Sequence, residues 1–161
     1  MLIGIMSDSH DHMGNIKKAV HKFNEAKIEH LYHAGDIVSP FTFNEFQYLN
    51  CSMDLVFGNN DGEKQFLIQK FQGKGVFHKH LYEFVIEGKH FLMMHEPNNI
   101  EYLFEKQTYD VIIYGHTHKI DIRQNEKTLL VNPGESCGLL TGEPTILTLD
   151  TSTMEYNLIY L

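Results

Sequence analysis

The hydrophobic and polar positions in the first half of the chain follow two patterns, short apolar runs and helical repeats. Apolar residues dominate Leu2–Met6, His30–Ala34 and Met53–Phe57, and each run has the length of a buried strand. Between the first two runs, apolar residues from Ile16 to Ala26 recur every three or four positions, which predicts an amphipathic helix. Strands alternating with helices predict a parallel start to the fold.

Two further helices are predicted in this half. The Ser39-Pro40 pair places a capping hydroxyl before a proline, which predicts a helix start. Another helix is predicted over Glu63–Phe71. Asp61 could orient Asn60 or cap that helix, and we favour capping.

The second half of the chain is richer in strand patterns. Its predicted strands are Gly75–His78, Leu81–Glu87, His90–Met94, Asp110–Tyr114, Ile120–Gln124, Thr128–Asn132, Thr145–Leu149 and Tyr156–Tyr160. One short helix is predicted over Ile100–Lys106. We therefore expect an α/β fold of two mixed β-sheets packed as a sandwich flanked by helices, with one domain over residues 1–161.

Composition excludes several classes of protein. A chain of 161 residues with 42% hydrophobic residues is too apolar to be disordered. No apolar run approaches the roughly 20 residues of a membrane-spanning helix, so we expect a cytoplasmic protein without membrane association. Thirteen Lys and Arg stand against 21 Asp and Glu, a net charge of −8, which argues against broad binding to duplex nucleic acid.

Polar side chains follow five of the predicted strands. The clusters are Asp8-Ser9-His10, Gly35-Asp36, Gly58-Asn59-Asn60-Asp61, His95-Glu96 and Gly115-His116-Thr117-His118. Because ligands of α/β sheets bind beyond the carboxyl ends of strands, we expect these ends to meet at one sheet edge. On extended backbone, Asp8 and His10 would point the same way, as would His116 and His118.

The chemistry of these clusters predicts a transition-metal site. Imidazole, carboxylate and amide ligands suit Mn, Fe, Ni, Co or Zn, whereas Ca and Mg favour oxygen ligands alone. Seven candidate ligands exceed the needs of one ion and divide into two sets if one carboxylate bridges two metals. The candidate ligands are Asp8, His10, Asp36, Asn59, His95, His116 and His118. Any one of them alone would more often be structural, but their number and order favour the metal site.

In order and spacing these motifs resemble the calcineurin-like metallophosphoesterase superfamily. Asn132-Pro133-Gly134-Glu135 also resembles a late motif of its small single-domain microbial phosphodiesterases, so the resemblance runs from Asp8 to about Asp150. It implies a sandwich of two mixed sheets flanked by helices. It also implies one metal held by Asp8, His10, Asp36 and His118, and a second held by Asp36, Asn59, His95 and His116. A hydroxide between the two metals would attack phosphorus, and manganese is the first expectation, with Ni, Co, Fe or Zn as alternatives.

Two positions depart from the family pattern. Where the family commonly has a histidine near the leaving group, this chain has Asn60, which donates a hydrogen bond but no useful proton. We expect Asn60 to be a catalytic residue and esters with poor leaving groups to react slowly. Glu96 replaces a common glycine, and it could repel an anion, order a water molecule or face solvent.

Three functions remain open at this point. The first is a metal-dependent phosphodiesterase for a small phosphodiester, and the second is a phosphomonoesterase using the same site. The third is a protein-interaction scaffold of the same fold with weak or relic activity, as in a retromer subunit. Retention of all four candidate histidine ligands favours catalysis, and a homodimer is a further expectation. His12 and His33 are expected to be structural or solvent-facing, and Cys137 is not expected to be a nucleophile.

Overall fold

The computed structural model describes all 161 residues. Its strands are β1 (Leu2–Met6), β2 (His30–His33), β3 (Ser52–Val56), β4 (Gly75–His78), β5 (Leu81–Ile86), β6 (Lys89–Met94), β7 (Val111–Ile113), β8 (Ile120–Gln124), β9 (Leu129–Pro133), β10 (Thr145–Asp150) and β11 (Tyr156–Tyr160). Its helices are α1 (Met13–Ala26), a 3-10 helix (Pro40–Thr42), α2 (Phe43–Phe46), α3 (Lys64–Lys70) and α4 (Ile100–Lys106). None of these helices has both the length and the apolar character needed to cross a lipid bilayer.

The strands form two mixed sheets, which confirms the predicted architecture. The first sheet has the order β11-β10-β1-β2-β3-β4, in which β1 to β4 run parallel. The second has the order β5-β6-β7-β9-β8, in which β6, β7 and β9 run parallel. Antiparallel strands complete each sheet, β10 and β11 in the first and β5 and β8 in the second.

Apolar side chains pack in three layers. Ile3 of β1 and Phe91 of β6 belong to the layer between the sheets. Phe23 of α1 belongs to a second layer that α1, α2 and α3 form with the first sheet. Leu92 of β6 packs with Leu103 of α4 in a third layer on the outside of the second sheet. The central strands are therefore buried on both faces, as their continuous apolar runs predict.

Two predicted helix caps are wrong. A helical segment begins at Pro40 as predicted, but it comprises only a 3-10 turn and the four-residue α2. The Ser39 hydroxyl does not cap it and donates to Asp11 at 2.5 Å instead. Asp61 accepts hydrogen bonds from the backbone nitrogens of Gly58 at 2.6 Å and Val38 at 2.7 Å, and does not cap α3. Both side chains instead form hydrogen bonds that link the loops following β1, β2 and β3.

A second polar cluster crosses three strands of the first sheet, away from those loops. Asp54 of β3 lies 2.8 Å from Nε2 of His30 on β2 and 2.6 Å from Nε2 of His78 on β4. Burial acts to raise the pKa of Asp54, but these hydrogen bonds outweigh it and hold the pKa below its usual value. Asp54 is therefore a charged link between adjacent strands at neutral pH.

Candidate metal centre

The polar clusters come together at one end of the sandwich, but from two sheets. Loops after β1, β2 and β3 of the first sheet carry Asp8, Asp36 and Asn59, while loops after β6 and β7 of the second carry His95 and His116. The expectation of a single sheet edge is wrong because hydrophobic patterns do not assign strands to sheets. The loops are in direct contact, since the His116 backbone nitrogen donates to Asp8 at 3.1 Å.

Left-handed backbone shapes the loops that carry these side chains. The dihedral φ is 52° at Asp8, 39° at His10, 59° at Asp36, 68° at His116 and 61° at His118. The backbone at the two spaced pairs is therefore not extended, and tight turns direct these side chains instead. Left-handed backbone costs roughly 1–2 kcal/mol per non-glycine residue, and such strain concentrates at functional sites.

Asp36 lies at the centre of the cluster. Its Oδ2 is 3.4 Å from Nε2 of His10 and 3.4 Å from Nε2 of His95. Oδ1 of Asp8 is 3.6 Å from Nε2 of His118 and 3.9 Å from Nε2 of His10. A carboxylate shared between two ions would occupy such a central position.

Asn59 and Asn60 complete the cluster. Oδ1 of Asn59 is 3.0 Å from Nε2 of His95 and 2.9 Å from Nδ1 of His116. The structure thus brings all seven predicted ligands into one cluster. The Asn60 amide lies beside them and donates to Oδ2 of Asp36 at 2.7 Å.

The spacing and chemistry of these atoms fit divalent transition metals. Nε2 of His10 is buried and has no hydrogen-bond partner, which is rare for a buried polar atom. Its separations from the carboxylates of Asp8 and Asp36, 3.4–3.9 Å, are too long for hydrogen bonds. Two ligand atoms each about 2.1 Å from one ion lie about 3–3.5 Å apart. Imidazole, carboxylate and amide donors are also the set that such metals prefer.

Burial raises the pKa of both carboxylates, but their contacts give them opposite net shifts. Asp8 is fully buried, and burial raises its pKa despite a hydrogen bond of 2.6 Å from the Ser7 hydroxyl. Burial acts on Asp36 in the same direction, but interactions with His95 and Asn60 outweigh it and hold the pKa well below its usual range. Cations in the cluster would compensate this buried negative charge.

Hydrogen bonds orient two of the imidazoles. Nδ1 of His95 lies 2.8 Å from the Ala34 carbonyl oxygen, to which it donates, leaving Nε2 toward Asp36. Nδ1 of His118 lies 2.7 Å from the Glu135 carboxylate, leaving Nε2 toward Asp8. Metal-binding imidazoles commonly donate their second nitrogen in this way.

Sequence reasoning missed the role of Glu135. Its carboxylate is fully buried and also accepts hydrogen bonds from the backbone nitrogen of Thr141 at 2.5 Å and from the Cys137 thiol at 3.1 Å. Burial alone would raise the pKa of Glu135, but contacts with His118, Thr141 and Cys137 lower it to about 2. The sequence places this glutamate directly after an apolar strand and a Pro-Gly turn. A glutamate buried at such a position requires polar partners, and this requirement is the signal that could have identified it.

Three neighbouring residues lie outside the cluster. His12 caps α1, its Nδ1 accepting from the backbone nitrogen of Asn15 at 3.2 Å. His33 is fully buried beside the Ser9 hydroxyl at 3.0 Å, and burial lowers its pKa to about 3. Burial raises the pKa of the Cys137 thiol to about 12, so this cysteine is a poor nucleophile at neutral pH.

Two glycines allow the loops to approach so closely. A Cβ atom at Gly115 would collide with the Ser7 hydroxyl and lie 2.8 Å from the Ala34 carbonyl oxygen. A Cβ atom at Gly58 would collide with the carboxylate of Asp36. Any side chain at either position would push apart the loops that carry the candidate ligands.

Comparison with known proteins identifies relatives across the whole chain. The model of the calcineurin-like phosphoesterase superfamily domain matches residues 1–154. Phosphodiesterase MJ0936 of Methanocaldococcus jannaschii is 41% identical over 165 aligned positions, which cover 100% of this chain and 99% of the relative. A solved structure described as a novel archaeal phosphodiesterase is 40% identical, with a TM-score of 0.92 and 100% of both chains covered.

A further solved structure has a similar fold at low sequence identity. Vps29 of Entamoeba histolytica, solved in complex with zinc, aligns with a TM-score of 0.70 over 100% of this chain and 98% of that one. At 16% identity this likeness shows the fold alone. With the family match over residues 1–154 and the relative at 41% identity, the chain belongs to the calcineurin-like phosphoesterase superfamily.

Proposed function

We propose that this chain is a metal-dependent phosphodiesterase that hydrolyses a small phosphodiester. The observation that carries the proposal is the seven-residue cluster, in which the Asp36 carboxylate lies 3.4 Å from two imidazoles. Membership of the phosphoesterase superfamily and the relative named phosphodiesterase support the same activity. Activity would depend on the ions that this cluster binds.

The proposed site holds two divalent ions. One would be held by Asp8, His10, Asp36 and His118, and the other by Asp36, Asn59, His95 and His116. We propose manganese first, with nickel, cobalt, iron or zinc as alternatives, because the donor set suits each of them. When bound, such ions provide a strong nucleophile at neutral pH and neutralise the charge of the phosphoryl group.

The side chains of the chain itself would position the substrate and the ligands. The backbone carbonyl of Ala34 and the carboxylate of Glu135 fix the ring orientations of His95 and His118, so these ligands need little reorganisation during the reaction. The Asn60 amide, now on Asp36, could donate a hydrogen bond to a phosphoryl or leaving oxygen. Because an amide does not protonate a leaving group, the rate would depend strongly on leaving-group basicity.

Hydrolysis of bis-p-nitrophenyl phosphate by protein stripped with a chelator tests the proposal. We expect no activity before Mn²⁺ is added and activity afterwards, and we expect the His10→Ala variant to lose it. His21→Ala is the matched control, because His21 is exposed on α1 outside the cluster. Inactivity with Mn²⁺, Ni²⁺ and Co²⁺ would contradict the proposal and favour a scaffold, whereas a higher kcat/KM for p-nitrophenyl phosphate would favour a phosphomonoesterase.

The proposal also covers the number of domains, the cellular location and the oligomeric state. The 161 residues would form one domain, the protein would act in the cytoplasm, and two copies would form a homodimer. Leu139 and Leu140, 63% and 74% exposed, are side chains that a dimer interface would cover. Light scattering should then give about twice the chain mass of 18.7 kDa, whereas the mass of one chain would exclude the dimer.

A further inference from the structure

A cavity of about 570 Å³ opens beside the candidate metal centre. Gly58, Asn59 and His95 line it, and the last two are also candidate ligands. Its volume lies within the roughly 300–1,000 Å³ typical of small-molecule sites. A group esterified to a phosphate at the metal centre could therefore enter this cavity.

Apolar and aromatic side chains form much of the cavity wall. They are Phe57, Leu81, Leu92, Met94, Tyr102, Leu103 and Tyr109. Leu92 and Met94 of β6 are buried, whereas Leu81 of β5 and Tyr102 of α4 are 58% and 60% exposed. Large apolar side chains on two different elements around one opening suit a flat ring, which gains from apolar burial and aromatic contact.

The charges in the cavity argue against a second anionic group. Lys64 is opposed there by Glu83 and Glu96, so the lining has no excess of positive charge. The Lys64 ammonium also lies 5.1 Å from the centre of the Phe57 ring, where a cation–π interaction holds it. An uncharged group is therefore a better occupant than a second anionic group.

Amide side chains offer hydrogen bonds to such a group. Asn98 and Asn99 line the cavity and provide both donors and acceptors. The carboxylate of Glu96, whose role the sequence left open, lines the same wall and could accept a hydrogen bond from a ring amine. A ring with polar atoms at its edge would satisfy these groups better than a hydrocarbon ring.

We propose that this cavity binds an uncharged heteroaromatic ring of nucleobase size, carried by one ester group of the phosphodiester. This inference rests on the proposed function, because the phosphate of the same molecule would lie at the metal centre. The substrate class is then a diester in which at least one alcohol bears such a ring. The cavity would contribute binding and selectivity, and the metal centre would contribute the chemistry.

Calorimetry with two classes of monoester separates ring binding from phosphate binding. Uridine and adenosine 5′-monophosphates carry a ring that ribose 5-phosphate lacks, whereas the phosphate and the sugar are shared. With Mn²⁺-loaded protein, we expect the tighter nucleotide to bind at least about tenfold more strongly than ribose 5-phosphate. Equal affinities would overturn the inference.

Two alanine variants locate the ring. Tyr102→Ala should reduce the affinity ratio to below about threefold, whereas Tyr160→Ala should preserve the ratio of the parent protein. Tyr160 is a matched control because it is 58% exposed on β11 of the first sheet and does not line the cavity. Since both tyrosines are largely exposed, neither substitution removes core packing, and circular dichroism checks that both variants fold. A ratio unchanged by Tyr102→Ala would overturn the assignment to this cavity.

Hydrolysis of bis-p-nitrophenyl phosphate distinguishes the two levels of the proposal. Hydrolysis with equal affinities for nucleotide and ribose 5-phosphate would leave the phosphodiesterase standing and remove the ring site. Ring-dependent binding without hydrolysis under Mn²⁺, Ni²⁺ or Co²⁺ would leave the ring site and remove the enzymatic function.

Discussion

Replacing Glu135 with glutamine removes one negative charge beneath a candidate metal ligand while keeping the shape of the side chain. The pKa of about 2 at Glu135, against its ordinary 4.5, corresponds to about 3 kcal/mol in favour of the charged carboxylate. It is the net result of hydrogen bonds that outweigh burial, and their donors are His118, the Thr141 backbone and hydroxyl, the Leu140 backbone and the Cys137 thiol. A hydrogen bond to a charged group is worth about 1.5–3 kcal/mol, and about 1.4 kcal/mol corresponds to a tenfold change in affinity.

We therefore expect Glu135→Gln to weaken Mn²⁺ binding by about 10- to 100-fold, the range typical of partners behind metal ligands. Calorimetric titration of chelator-stripped protein measures this affinity directly, without reliance on turnover. Glu143→Gln is the matched control, because Glu143 is exposed in the same loop and its side chain does not contact His118. Urea unfolding of both metal-free variants separates loss of affinity from loss of stability.

Binding of Mn²⁺ by Glu135→Gln as tightly as by the parent protein would refute this role of Glu135. Equal weakening in the Glu143→Gln control would also refute it, because the effect would then reflect charge in the loop in general. A lower free energy of unfolding with unchanged Mn²⁺ affinity would assign Glu135 a structural role alone.

Three other substitutions test different parts of the structure. Asp54→Asn should lower the free energy of unfolding by about 2 kcal/mol at pH 7 and by less at pH 3. A carboxylate whose pKa is lowered in the folded state stabilises the fold at pH values above its ordinary pKa of 3.8, and this stabilisation is lost as the pH falls. Urea unfolding at both pH values measures this, with exposed Glu126→Gln as control, and an equal loss at both would contradict it. Asn60→His should raise kcat for a phenyl ester relative to a p-nitrophenyl ester by about tenfold or more, because it supplies a proton to the poorer leaving group; equal changes in both would argue against this role. Gly115→Ala should cost about 2 kcal/mol in urea unfolding, because its Cβ would collide with Ser7, and unchanged stability would show that the loops have room.

The strands were predictable because their apolar runs are buried on both faces. The β1, β4, β8 and β11 strands and the α4 helix have the predicted bounds, and the other strands differ by one residue at one or both ends. The region after Ser39 was less predictable, because the Ser39 hydroxyl donates a hydrogen bond to Asp11, 28 positions away, and only the tertiary fold brings the two together. A local capping pattern does not reveal that a distant carboxylate competes for the same group.

The seven candidate ligands were predictable because each lies in a polar cluster that follows an apolar strand. Their assignment to two different sheets was not, because periodicity reports burial and not strand pairing. The left-handed backbone at residues such as Asp8 and His118 is also hidden, since loop contacts impose it. Glu135 was missed because its partner His118 is 17 positions away and the two meet only through the packing of their loops.

The central claim is that the seven-residue cluster around Asp36 binds two metal ions and that both are needed for hydrolysis. The most direct measurement is a titration of Mn²⁺ into chelator-stripped protein, with bound metal and bis-p-nitrophenyl phosphate hydrolysis recorded at each step. We predict that binding saturates at two ions per chain and that full activity requires the second. Saturation at one ion, full activity before the second binds, or no binding would contradict the account.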